Sequence, residues 1–226
     1  MDTSQDIVNK LKSYISDRTL NITNDLRVFL WVRLNNYDIL NDKQLKLGGG
    51  NLTMAIALFA CLSYIGKIHW LLHRNIPMRK KENFIPLIDY LEYEEIGLNE
   101  TDCFKFLIQR SPCKLGLRNL QQDELEKFWS SWRNSLVHML AQEGTEGPVL
   151  SIIPKGQSHN YLMEMNKLDP ELSFYLNKKK WSCRIDNFNS GLDKITQWLV
   201  GEIDKQENLR VGQTLAWVED ELKEGN

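Results

Sequence analysis

No C-x-x-C pair occurs in this chain, and its four cysteines stand far apart at 61, 103, 113 and 183. That spacing argues against a zinc ribbon, a redox dithiol or a dense disulfide framework, and free, mostly buried thiols in a reducing cytosol are expected. The first ten residues, MDTSQDIVNK, hold no basic stretch followed by an apolar run, so no signal peptide is expected. Long apolar runs are also missing. The richest, residues 52–66, lasts fifteen residues before Lys67 and His69 interrupt it, whereas a membrane span needs roughly 20. It is expected to be a buried central helix, with no membrane partner. Nor is there a surplus of positive charge: the formal net charge is −2, so nucleic-acid binding would need local basic patches. Internal repeats and low-complexity linkers are missing too.

What remains is a globular composition. Of 226 residues, 42% are hydrophobic and 26% charged, enough for one domain that buries a core without metal or disulfide help. Seven tryptophans and eight phenylalanines supply large anchors.

Helical periodicity dominates. Asp2–Ser4 sit before Ile7, Leu11, Tyr14 and Ile15 as capping residues before an amphipathic turn. Further helices are expected over 24–40, 51–74, 101–110, 121–142, 187–204 and 206–223. Glycines at 48–50 separate the second from the third, and the connector 75–86 holds Pro77 and Pro86. The third helix is apolar on nearly every face over 52–62 and must be surrounded. From 148 to 186 the texture changes: PVLSIIP, YLMEM and WSCRID are short, β-leaning and separated by turn residues. The expected fold is all-α, a single helical-bundle domain over 1–226 with a small β-hairpin-like insertion at about 148–186.

The stretch WRNSLVHM (132–139) carries the chemistry. With successive helix residues about 100° apart, Leu125, Phe128, Trp129, Leu136, Met139 and Leu140 fall within about 80° of Trp132 and form an apolar stripe. Arg133, Asn134 and His138 lie near 100°, 200° and 240° on the same scale, on the arc away from it. Polar residues on the far face of an amphipathic helix are also what any solvated surface shows. Asn134 and His138, at i and i+4, stand one above the other. The small or short residues Ser130, Val137 and Ala141 on that arc would let a second copy of the helix approach across a two-fold axis.

Arg133-Asn134-Ser135-Leu136-Val137-His138 resembles the R-x(4–6)-H motif of the HEPN superfamily (higher eukaryotes and prokaryotes nucleotide-binding), with four residues between arginine and histidine and the asparagine directly after the arginine. The buried helix ahead of the motif helix also fits that family's build. The resemblance covers 1–145 and the closing helices; 148–186 has no place in the common core. It implies a helical bundle and a metal-independent, cofactor-free endoribonuclease whose site forms across a homodimer through the motif helix. Arg133 would hold phosphate, His138 would move protons, and Asn134 would orient His138 or donate to phosphate. The product would carry a 2′,3′-cyclic phosphate. Cytoplasmic toxin–antitoxin or phage-defence roles, and an antitoxin or nucleotidyltransferase partner, also follow from the resemblance alone. The chain departs from it at Met139, where some members carry a tyrosine that such a partner modifies. Other members lack catalysis and bind nucleotide or RNA, and that reading stays open beside a helical scaffold without small ligand.

Two basic runs are candidates for RNA contact: Arg79, Lys80 and Lys81, and Lys178, Lys179 and Lys180 with Trp181 as a stacking face. Short basic runs are more often solvated surface. His69 and His73 have the i, i+4 spacing of two metal ligands, but HWLLH lacks the glutamate of H-E-x-x-H and no third ligand is evident. Aromatic packing at a helix end is the expected role, and no metal site is assigned. LGGGNLT lacks the lysine and spacing of a P-loop, and His159 has no companion.

Overall fold

Thr3 starts the first helix. Its hydroxyl accepts from the Asp6 amide while the Asp6 carboxylate accepts from the Thr3 amide at 2.9 Å, a reciprocal cap on α1 (Ser4–Ile15). Val8, Leu11 and Ile15 recur at helical spacing and are buried. In this computed structural model the described residues are 3–35, 51–73, 99–138, 149–151, 173–177 and 180–224. The expected helix ends at 36–40 and 139–142 fall outside them.

No turn residue divides the first helix from the second. A π-helical turn, Ser16–Leu20, runs directly into α2 (Asn21–Asn35). Thr19 is buried in that turn and donates its hydroxyl to the Ile15 carbonyl, one turn back.

α3 (Asn51–His73) is the centre of the bundle. Met54, Ala55, Leu58, Phe59, Leu62, Ile65 and Ile68 are buried on several faces, as the all-round apolar pattern requires. Each large side chain so buried contributes about 1.5–3 kcal/mol. The uninterrupted run of fifteen understates this helix. Over Thr53–His73 it is long and apolar enough by composition to cross a membrane, and about two-thirds of that window is buried within the protein. Lys67 and the two histidines dilute its apolar character without ending it.

α4 (Glu100–Arg110) begins at Asn99, whose side chain accepts from the Thr101 amide at 2.9 Å. It ends against Lys114, whose ammonium donates to the carbonyls of Ile108 and Gln109. The loop then passes through Leu115, at φ 53°, and Gly116, at φ 84°, before α5 (Gln122–His138).

The β segment is larger than the expected hairpin. β2 (Phe174–Asn177) and β3 (Lys180–Arg184) pair antiparallel, as a hairpin should, but β1 (Val149–Ser151) adds in parallel to the other edge of β3. The strand order is β1-β3-β2. β3 passes without a linker into α6 (Ile185–Ile203), and α7 (Asn208–Glu224) closes the described chain. The molecule is mostly helical with this small sheet attached.

An aromatic cluster joins the layers. Phe59 of α3 has its ring centroid 5.6 Å from Trp132, 5.7 Å from Phe174 and 5.1 Å from Phe188. α3, α5, β2 and α6 therefore share one knot of rings, with Phe104 of α4 stacked on Trp129 at 4.4 Å.

Candidate functional site: the exposed arc of helix α5

α5 forms because its apolar residues fall in one stripe. Leu125, Phe128, Trp129 and Trp132 are all buried, while Glu126, Lys127 and Ser131 are exposed. The Glu124 carboxylate accepts from the Gln121 amide at 2.7 Å at the helix start.

The backbone of Arg133, Asn134 and His138 lies in the same unbroken helix. These three follow Glu126, Lys127 and Ser131 by seven residues each, and a heptad returns a straight helix to within about 20°. Each motif position therefore repeats a column that one heptad earlier is exposed. Glu126, in the first of these columns, reaches Lys105 of α4 at 3.3 Å.

The basic runs divide differently. Arg79, Lys80, Lys81, Lys178 and Lys179 lie outside the described residues. Lys180 and Trp181 open β3, in register with Asn177 and Leu176. Strand alternation puts position 181 on the same face as Cys183, which is buried, and position 180 on the opposite face. The sheet meets the motif helix through Phe174, whose ring lies 5.5 Å from Trp132, one residue before Arg133. β2 is thus packed against α5 at Trp132. The glycines at 48–50 and His159 are outside the described residues.

The histidine pair at the end of α3 has surroundings that spacing alone does not give. His69 is fully buried, and His73 stands edge-on to it with ring centroids 4.5 Å apart. Phe106 of α4 lies 4.9 Å and Trp198 of α6 5.1 Å from the His69 ring. Arg110 stacks over Phe106 at 4.1 Å. Among the described residues neither nitrogen of His69 has a hydrogen-bond partner, nor does Nε2 of His73. Burial pushes His69 down to about 3, with help from His73 and Arg110. Burial also lowers His73, with Arg110 and Arg210 adding to the shift and Glu202 opposing it. Among the described residues no three His, Cys, Asp or Glu side chains gather as a metal would need. The pair is packed as an aromatic helix end. Cys61, also on α3, is pushed up to about 11 by burial, an inert thiol environment.

No family model, no curated protein and no solved structure matches this chain.

Proposed function

We propose that the protein is an endoribonuclease of the HEPN type, acting as a homodimer with Arg133 and His138 in the cleft between two α5 helices. The observation that carries the reading is the R-N-x-x-x-H sequence on an α-helix whose apolar stripe is occupied by the core. This leaves the three motif positions in columns that are exposed one heptad earlier.

The chemistry needs no more than these groups and the substrate. RNA carries a 2′-hydroxyl beside each phosphodiester. His138, in its neutral form, removes the hydroxyl proton as the oxygen attacks phosphorus; the P–O5′ bond breaks, and the departing 5′-oxygen takes a proton from the partner subunit's His138 or from water. A 2′,3′-cyclic phosphate and a free 5′-hydroxyl result. Arg133 presents a permanent planar cation to the phosphate oxygens as their charge grows. Asn134, one turn before His138, orients the imidazole or donates to phosphate. Acid–base groups so placed contribute roughly 10²–10⁴-fold.

The test is incubation of the purified protein with total RNA in EDTA beside Arg133→Ala and His138→Ala, with the mass in solution measured in parallel. Cleavage by the wild type alone, from a dimer, supports the reading. RNA binding without cleavage returns the protein to the binding-module class, and a strictly monomeric protein removes the shared cleft.

A further inference from the structure

The end of the bundle where α3, α4, α6 and α7 converge has a charge problem built into it. His69 sits there fully buried, its ring against His73, Phe106 and Trp198, and among the described residues no acceptor reaches either nitrogen. A neutral imidazole is tolerated in such a place, whereas a buried imidazolium needs a paired anion, and among the described residues none bonds to His69. Of the charged groups facing the pair, two arginines make protonation harder and one carboxylate, Glu202, works against them. Arg110 faces it from α4 and Arg210 from the first turn of α7, both cationic. From α6 comes Glu202, a carboxylate already ion-paired with Lys205. Within α3 the two imidazoles are each other's neighbours, so a proton on one is felt by the other.

We propose that this end of the bundle is an acid-opened joint, in which a proton taken up by the His69–His73 pair separates the end of α3 from α4 and α6. The joint is independent of the ribonuclease reading, since none of its residues lies on α5.

The sign follows from linkage. His69 is held neutral when folded, down to about 3, and regains its ordinary value of 6.5 when exposed. Stability from this residue is therefore complete above about 6.5 and declines as the pH falls toward about 3, because the open chain binds the proton that the closed one refuses. For His69 alone, the opening equilibrium shifts about thirty-fold between pH 7.5 and pH 5.

The test compares wild type with His69→Phe, which keeps a ring against Phe106 and Trp198, and with His69→Leu should the larger ring fail to pack. Urea midpoints at pH 7.5 and 5.0 are expected to fall more for the wild type than for either variant, by a difference of at least tenfold in the folding constant. In the wild type, the C2 proton of His69 followed by NMR should stay at its neutral position through pH 5. Amide exchange corrected for intrinsic rate should quicken at pH 5 over 68–73, 106–110 and 198–203 before it does in α1. Equal acid losses in wild type and variants, His69 titrating near 6.5 in the folded protein, or exchange that rises uniformly through all helices would each overturn the joint.

Discussion

Phe59 lies nearly parallel to Trp132, with ring centroids 5.6 Å apart and planes 18° from parallel. The buried helix thus braces the motif helix one residue before Arg133. Both rings are nearly or fully inaccessible, so the contact is anchored on the least deformable part of the bundle. Phe59→Ala should cost about 3–5 kcal/mol, read as a lower urea midpoint. RNA cleavage measured where the variant remains folded should fall as well, since α5 loses its brace.

A second contact fixes the loop after α4 to α6. A Cβ added at Gly191 would stand 2.5 Å from Cδ2 of Leu115 and 3.3 Å from Sγ of Cys113 and Oγ of Ser173. Leu115 is itself buried in the core cluster, which limits the retreat of its side chain. Gly191→Ala gains about 1 kcal/mol of helix propensity but meets overpacking of about 1–3 kcal/mol, so a net loss is expected. In a double-mutant cycle, Leu115→Gly should cost less in the Gly191→Ala background than alone. Additive costs would show that the two sites do not press on each other.

The start of α4 depends on one side chain. Asn99→Ala removes the acceptor for the Thr101 amide and should cost about 1 kcal/mol by chemical denaturation, with Asn99→Asp close to wild type.

The reach of the sequence is clearest in α3 and α5. Both announce themselves through spacing, α3 by apolar residues on every face and α5 by a stripe that includes Phe128, Trp129 and Trp132, all of them buried. The β-leaning texture before Ile185 likewise marks strands. The π-helical turn at Ser16–Leu20 was not legible, because no glycine or proline punctuates it and Thr19 supports it with a local hydrogen bond. The parallel pairing of Leu150 with Cys183 was equally hidden: periodicity reports which residues share a face, not which distant strands meet. The same holds for the histidines. Their i, i+4 spacing was visible, but Phe106, Arg110 and Trp198 reach them from two other helices. The Arg133–His138 spacing could be read directly, while the exposure of its columns needed the packing of the preceding two turns.

At the motif itself, His138→Ala should lower cleavage roughly 10²–10⁴-fold while leaving the unfolding free energy within about 0.5 kcal/mol of wild type. Arg133→Lys keeps the charge but not the planar fork, and should recover only part of the activity lost in Arg133→Ala.

The most direct measurement is end-group mapping of RNA fragments produced by wild-type protein in EDTA, with His138→Ala as control. Fragments ending in 2′,3′-cyclic phosphate, produced only by the wild type, are the result expected of 2′-hydroxyl attack assisted by His138. Intact RNA in both reactions, or fragments that appear equally with His138→Ala, would contradict it.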